Sequence, residues 1–426
     1  MRKPQFRRLA ASYAVNELGD WMGIVALSVL VFELTGSALA TTLLFIGNFF
    51  LPALLTPLLV ARIERPPPRF VLPSLYAGEA AAFGALALLA DHFSLAAVVA
   101  IATVDGTLAL AARSLTRSVA AAMLEPRGEL RAGNAILNVA FTGGAAVGPA
   151  IAGATVAVFG VQTALLLDAA SFYAIAWILL TAGHLPQADD EEEPAQMLRR
   201  LRAGLSYIRG HATLRRLLIA QAGAFVFFAA VLPIEVIFAK ETLGAGDAGY
   251  GLLLGSWGAG MVLGSVVFAA LRGARLPPLL LFSTLGVGAG YLGMGVAPTL
   301  AVACAAAALG GTGNGVQWVS AVSAVQELTA PAMQARVVSV LESLGAAMPG
   351  VGFLLGGVIA ALVGPRVTFL TAGAGVVAIV VLAALFTGRK WPADAVERRP
   401  GEVDAAAELM VELIPAEPLP SRERRS

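Results

Sequence analysis

The chain has 426 residues, of which 58% are hydrophobic and only 13% are charged, and its mean hydropathy is +0.79. Soluble domains carry about twice that share of charged residues, so the composition excludes most soluble enzymes and binding domains and indicates a membrane protein. The net charge of +1 gives no reason to expect nucleic acid as a partner. A single cysteine, Cys304, lies within an apolar segment and excludes a disulfide framework.

Twelve segments of the sequence are long and apolar enough to cross a bilayer, which takes roughly 20 mostly apolar residues. The first segment follows several basic residues and contains two acids, which favours a retained helix over a cleaved signal peptide. Six spans fall in each half of the chain. The predicted spans are residues 11–33, 39–61, 70–90, 94–122, 134–158, 162–183, 215–239, 247–271, 277–297, 299–326, 338–363 and 366–388.

The spans divide the chain into an N-terminal six-helix bundle (1–184), a linker (185–214), a C-terminal six-helix bundle (215–390) and a tail (391–426). In the linker, an acidic run followed by arginines predicts a cytoplasmic loop with an amphipathic helix. The tail is expected to be largely disordered. All but two of the 29 Lys and Arg residues fall on one side of the predicted topology, the exceptions being Lys240 and Arg366. Both termini are therefore expected in the cytoplasm, in a bacterial-type inner membrane.

Two stretches of the sequence, 133–172 and 337–376, share one pattern of glycines among apolar residues. A parallel repeat of long apolar helices is typical of a secondary transporter built from two similar halves. The aligned pairs are Gly148 with Gly352, Gly153 with Gly357 and Gly160 with Gly364.

Catalytic and ATP-driven functions lack the residues that they require. A phosphate-binding P-loop needs Lys followed by Ser or Thr, whereas the three lysines precede Pro4, Glu241 and Trp391. The histidines have no Cys or His partner at metal-ligand spacing. The sequence therefore predicts neither an enzyme nor a cofactor or metal site.

Acids inside the predicted spans are the candidates for energy coupling, because a charge at mid-bilayer is costly and marks a wet pathway or a partner. Glu17 and Asp20 share one face of the first helix, with Glu17 nearer the cytoplasmic water, and Glu79 and Asp105 fall near mid-depth. Burial disfavours the charged form of a carboxyl group and a neighbouring Arg favours it, so a carboxyl that alternates between such surroundings moves protons. A structural contact between helices remains the alternative for each acid.

Other charged residues in the spans are weaker candidates for energy coupling. Asp168, Glu235 and Glu342 are expected nearer the span ends. Arg113 lies deep enough in the fourth span to pair with a carboxylate. The alternative is that its side chain extends to the membrane surface and anchors the helix there.

Several motifs together resemble the major facilitator superfamily, in particular the branch that contains the enterobactin exporter and macrolide efflux proteins. The matching stretches are NELGDWMGIVAL (16–27), EPRGELRAGNAILNVAFTGGAAVGPAIAG (from Glu125), LLLDAASF (165–172), LRAGLSYIRGHATLRRLL (from Leu201) and YGLLLGSWGAGMVLGS (from Tyr250). The resemblance extends over about residues 5 to 388. It departs in the loop 57–70, where Pro57 and Ala61 stand in place of the usual glycine and acid. The salt bridges that this acid makes at the inner gate are therefore not expected here, unless Glu64 takes its place.

The resemblance implies alternating access of two bundles and export of an amphipathic small molecule against protons, by a monomer in the lipid bilayer. Export of a specific metabolite such as a siderophore, and a non-transporting sensor or assembly protein, remain alternatives. The gate or charge-partner candidates are Arg113, Arg62 and Arg69, and the cavity candidates are Asn48, Asn138, Gln221, Gln317 and Trp318, each of which can equally be a packing hydrogen bond. The motif expected to pack on a helix of the other half is Gly143, Gly144, Gly148, Pro149 and Gly153.

Overall fold

A computed structural model of the chain describes residues 4–63, 67–181, 185–186, 194–271 and 274–387. Within these residues, ten stretches are long and apolar enough to cross a membrane. One of the ten, Ala132–Leu180, is interrupted at Gly160, whose φ of +81° ends one helix and begins the next. Leu300–Glu327, a 28-residue helix with several glycine and polar residues, packs among the others. The chain thus forms the twelve-helix, all-α membrane architecture that the sequence predicts.

The helices agree with the predicted spans to within several residues at most ends. The first six are α1 (Pro4–Thr35), α2 (Ala38–Phe45, a π-helical turn at Ile46–Phe50, then Leu51–Ile63), α3 (Pro68–Leu89), α4 (Leu95–Leu124), α5 (130–159) and α6 (161–180). A linker helix, Pro194–Gly210, confirms the helix predicted there. The second six are α7 (Ala212–Thr242), α8 (Gly246–Ala270), α9 (Leu276–Val296), α10 (Leu300–Glu327), α11 (Gln334–Val363) and α12 (Pro365–Thr387). The tail lies outside the described residues.

Two glycines confirm the internal repeat at the level of the backbone. Gly160 joins α5 to α6 and Gly364 joins α11 to α12, and both adopt a left-handed conformation with φ of +81° and +92°. Residues with a Cβ atom rarely adopt this backbone conformation, so both turns require glycine. The repeated sequence therefore encodes the same turn twice.

The other aligned glycines also have equivalent neighbours. Gly148 packs on α1 at Trp21, and Gly352 packs on α7, the corresponding helix of the second half. Gly153 packs on α8 and Gly357 packs on α2, each across the boundary between halves. The chain accordingly forms two pseudo-symmetric six-helix bundles, here called the N bundle (α1–α6) and the C bundle (α7–α12).

The bundles touch through backbones that lie unusually close together. The side on which α1 begins and α12 ends is called the terminal face, and the opposite side the far face. A Cβ atom on Gly153 of α5 would lie 2.8 Å from Gly251 Cα of α8, and one on Gly258 would overlap Ala145 O. On the other side of the boundary, the side chains of Thr42 and Phe45 of α2 contact Gly357 and Phe353 of α11. These contacts extend from the middle of the helices to the far face.

Toward the terminal face, α5 and α8 separate. Asn138 and Thr142 continue the helix face of α5 that carries Pro149 and Gly153, since they lie at steps of three or four residues. Asn138 is nevertheless exposed, and so is Val262, which follows Gly258 by four residues on α8. We infer that the structure is closed at the far face and open between the bundles at the terminal face.

We expect Gly258→Val to shift the protein toward a conformation that is open at the far face, because the new side chain would meet the backbone of α5. The reporter is a cysteine at Ser28, a fully buried position, in a Cys304→Ser background. Its labelling rate by a membrane-impermeant maleimide should rise. Gly84→Val is the matched control, because a Cβ there meets no atom within 4 Å. Equal labelling rates in the two variants would contradict the packing role.

Candidate functional site

An arginine of α4 joins two acids of α1 near the middle of the N bundle. Arg113 Nη2 donates to Asp20 Oδ2 at 2.8 Å and to Glu17 Oε2 at 3.2 Å. The acids lie three residues apart and so project from one face of α1. Because Glu17 is 1% exposed, whereas the Asp20 and Arg113 side chains are 24% and 29% exposed, the ion pair has one buried and one accessible side.

Neighbouring side chains hold this group in position. Asn16 Nδ2 donates to Asp20 Oδ2 at 3.2 Å. The Arg113 guanidinium lies 5.7 Å from the centre of the Phe141 ring on α5, a cation–π contact. One turn closer to the terminal face, Arg117 donates to the Tyr13 hydroxyl at 3.4 Å. The cluster thus connects α1, α4 and α5.

Three more acids lie deep in the same bundle. Glu79 and Asp168 are fully buried, and Asp105 is almost so. In the part of the chain that the structure describes, both Glu79 oxygens, Asp105 Oδ1 and Asp168 Oδ2 have no hydrogen-bond partner. Glu79 lies within electrostatic range of Asp105, Asp168 and Asp20. Among the described residues, no three such groups converge as metal ligands.

Asp168 of α6 fits into a notch on α1. A Cβ atom on Gly19 would lie 2.5 Å from Asp168 Oδ1, and one on Gly23 would lie 3.0 Å from Oδ2. Ser171 Oγ also donates to Asp168 Oδ1, at 3.4 Å. From the sequence, Asp168 was a weak candidate for coupling and was expected near a helix end. The two glycines of α1, four residues apart, are the sequence signal for the space that Asp168 occupies.

The C bundle contains the counterpart of the Glu17–Arg113 pair. The alignment that pairs Gly153 with Gly357 also pairs Glu17 with Gln221 and Arg113 with Gln317. Gln317 Nε2 donates to Gln221 Oε1 at 2.7 Å, so α10 is joined to α7 at the same position at which α4 is joined to α1. The two halves therefore repeat one helix–helix contact, charged in the N bundle and neutral in the C bundle.

The predicted cavity residues fall into three groups. Asn138 lines a cavity of about 360 Å³ with Arg117 and Asn134, on the open side. Gln221 and Gln317 are buried in their mutual hydrogen bond, which agrees with the packing alternative. The partly exposed Trp318 packs on Phe225, and Asn48 lies in the π-helical turn of α2.

The glycine motif of α5 needs a correction. Only its far-face end, Pro149 and Gly153, contacts a helix of the other bundle, through the backbone of α8. Gly144 and Gly148 instead pack on α1, at Glu17 and Trp21, and a Cβ atom added at Gly143 would meet no atom within 4 Å. Because α5 has both α1 and α8 as neighbours, a single stripe of small residues cannot tell which helix each one faces.

Of the other predicted gate residues, Arg69 lies away from this cluster. Arg69 is exposed at the start of α3, with its guanidinium 4.6 Å from the Phe70 ring. The Arg62 side chain and Glu64 fall outside the described residues. Arg113 is therefore the predicted gate residue that the structure brings to the acids.

The far face carries an ion-pair latch that the sequence did not reveal. Lys240 of α7 donates to Glu33 of α1, in the N bundle, and at 2.6 Å to Asp247 of α8. The available signal was that Lys240 is one of the two basic residues predicted on that side. Nearby, Glu235, which was expected near a span end, is only 5% exposed, in an irregular part of α7 that contacts α1.

Comparison with known proteins agrees with this architecture. A family model described as transmembrane secretion effector matches residues 1–410. YfiS of Bacillus subtilis strain 168, an uncharacterised MFS-type transporter, is 24% identical over 397 residues, which cover 88% of this chain and 92% of YfiS.

Solved structures share the fold at lower sequence identity. A mutant of the nucleoside transporter NupG superposes with a TM-score of 0.74 at 12% identity, covering 90% of this chain and all of NupG. A bacterial homologue of the human lysosomal transporter Spinster, solved inward-facing and unoccupied, gives 0.66 at 13% identity, with 91% and 97% covered. At such identities the likeness is one of fold.

We expect Arg113→Gln to destabilise the protein, because it leaves Glu17 and Asp20 close together without a cation. Breaking a buried ion pair costs roughly 3 to 5 kcal/mol, and partial exposure reduces this figure here. The melting temperature in detergent should fall by several degrees, and adding Glu17→Gln with Asp20→Asn should restore most of it. Arg117→Gln is the control and should be nearly silent. A triple variant no more stable than Arg113→Gln alone would contradict the pairing.

Proposed function

Because the chain belongs to the transmembrane secretion effector family of major facilitator transporters, we propose that it exports amphipathic small molecules by alternating access, in exchange for protons. The observation that carries this proposal is the Arg113–Glu17–Asp20 cluster, which is accessible from the open side of a two-bundle protein whose other side is closed. Buried ionisable groups in a membrane protein are costly, and they mark ion or substrate pathways.

The open side supports a conformation that loads substrate from the terminal face. We propose that this face is cytoplasmic, since the linker helix and the starts of α1 and α9 there carry basic residues such as Arg7, Arg209 and Arg275. Substrate then enters from the cytoplasm or the inner leaflet. Rocking of the bundles would close α5 onto α8 at this side and release the contacts at the far face.

The buried acids provide the proposed coupling. Arg113 can neutralise Glu17 and Asp20 only in part, and Glu79, Asp105 and Asp168 lie close by with unpaired oxygens. An unpaired carboxylate in an apolar interior is costly, so the number of protons on these acids should change as the bundles rock and water reaches them from the other side. Of the two acids that pair with Arg113, Asp20 is the more exposed, which favours it as the group that exchanges protons with water.

The expected cargo is an amphipathic, drug-like or macrolide-like molecule. Phe225 and Trp318 provide aromatic surface in the C bundle, and Asn134 and Asn138 provide amide groups on the open side of the N bundle. Export of one metabolite such as a siderophore would use the same site. Uptake of a labelled panel that includes dyes, macrolides and a siderophore, measured in inside-out vesicles with and without a proton gradient, tests the proposal. Absence of gradient-driven uptake for every compound would contradict it.

We expect Asp20→Asn to lose gradient-driven accumulation in proteoliposomes while it retains substrate binding and downhill exchange. Asn keeps the size and the hydrogen bonds of Asp but cannot ionise. The sequence favoured a weaker effect for Glu17→Gln on the ground that Glu17 lies nearer to water. In the structure the Glu17 side chain is 1% exposed and that of Asp20 is 24% exposed, and the weaker effect at Glu17 stays a prediction. Glu17→Gln now serves as the matched variant, and full activity of Asp20→Asn would move the coupling role to Glu79 or Asp105.

We expect removal of the far-face latch to favour opening at that face. Glu33→Gln cuts the bond between bundles, whereas Asp247→Asn cuts one within the C bundle, so labelling of the Ser28→Cys reporter should rise more in the first. Exposed ion pairs contribute about 1 kcal/mol or less, hence a change of up to roughly fivefold. Glu241→Gln, an exposed acid on the same turn of α7, is the control. Identical labelling in Glu33→Gln and Glu241→Gln would rule out a latch.

A further inference from the structure

The junction between the linker helix and α7 forms a groove with apolar walls and a basic mouth. Its volume is about 240 Å³, and its walls include Leu205 of the linker helix and Leu218 and Ala222 of α7. Arg209 and Arg215 also line it, and none of the lining residues is acidic. The groove lies at the terminal face, where α7 begins.

Local contacts fix this junction. Gly204 packs so closely on α11 that a Cβ atom there would lie 2.6 Å from Arg336 O. The His211 ring stacks on Tyr207 at 4.0 Å, and the Tyr207 hydroxyl accepts a hydrogen bond from Ala330 N. Arg215 Nη1 donates to Arg209 O at 2.8 Å, which holds the Arg215 guanidinium beside the last turn of the linker helix. Both arginines are exposed at the edge of the groove.

We propose that this groove binds an anionic phospholipid, with an acyl chain against the apolar wall and the phosphate between Arg209 and Arg215. Leu205 is 39% and Ile219 is 66% exposed at the groove, which favours a hydrocarbon chain over a water-soluble anion. The arginines and the first turn of α7, whose backbone N–H groups lie at the same end, favour a negative headgroup. The chemistry of the site thus matches the two parts of one lipid molecule.

Lipid in the groove would link the linker helix to the C bundle. Gly204 contacts α11, and Ile208 belongs to one apolar cluster with Leu218 of α7 and Val340 of α11. An acyl chain along Leu205, Ile219 and Ala222 would extend that cluster outward. Lipid binding in this groove does not depend on which cargo the protein carries or on whether protons drive it.

The test compares full-length protein released from nanodiscs of phosphatidylglycerol or of phosphatidylcholine, with bound lipid counted by native mass spectrometry. We expect retention of phosphatidylglycerol, and its loss in Arg209→Gln/Arg215→Gln. Two basic residues near an anionic headgroup together account for a change of roughly 30-fold. Arg7→Gln/Arg275→Gln removes the same charge from exposed positions on the same face, outside the groove. Equal retention of the two lipids, or equal loss in the two double variants, would overturn the proposal.

A second variant separates a lipid site from a site for a free anion. Ala222→Phe fills the apolar part of the groove and leaves both arginines, so it should abolish phosphatidylglycerol retention as well. Should that variant fail to fold, Leu205→Gln makes the same wall polar at a partly exposed position. Retention that survives both changes, and that inorganic phosphate displaces, would show an anion site without a lipid.

Discussion

Close approach of backbones, without side chains between them, is the constraint on which the two-bundle arrangement depends. Gly251 and Gly258 of α8 lie against the backbone of α5, and Gly357 of α11 leaves room for the Thr42 side chain of α2. Inside a membrane the hydrophobic effect does not drive helices together, so such small-residue contacts carry much of the packing. Between α5 and α8, a smooth contact of this kind lets the two helices change their angle without separating interdigitated side chains, whereas α2 and α11 also meet through two phenylalanine rings. The contact between α5 and α8 can then act as a hinge between the closed far face and the open terminal face.

The charged groups follow from that arrangement. Arg113 and Asp20 lie where the separation of the bundles gives partial access, Glu17 is buried beside them, and Asp168 is held in the glycine notch of α1. Of the five acids that are buried among the described residues, four belong to the N bundle and one, Glu235, to the C bundle. A motion of α1 would therefore alter the surroundings of Glu17 and Asp168 at once, because α1 carries the first and contacts the second.

The sequence was sufficient for features that depend on one helix and insufficient for those that depend on its neighbours. Apolar length gave the spans, and the repeated glycines gave the duplicated turn at Gly160 and Gly364. Depth along α1 and α4 was enough to suggest that Arg113 could meet an acid. Burial of Glu17 and Glu235, and the choice of partner for Gly148, depend on which helix lies alongside, and hydropathy does not record this. The Lys240 latch joins residues 207 positions apart, beyond the reach of any local pattern.

The duplicated contact between Gln221 and Gln317 provides an internal reference for its charged counterpart. Glutamine and glutamate have nearly the same shape, so the C bundle shows what the α1–α4 junction would be if it were built for cohesion alone: a neutral hydrogen bond of 2.7 Å, buried and shielded from water. Charge is thus unnecessary for joining these helices, and in a bilayer it is the more costly choice. At these two equivalent positions the halves differ in charge, while the helix–helix contact itself is the same. Charged groups at position 113 and at its partners therefore agree with the proposed proton coupling, for which a neutral pair would not serve.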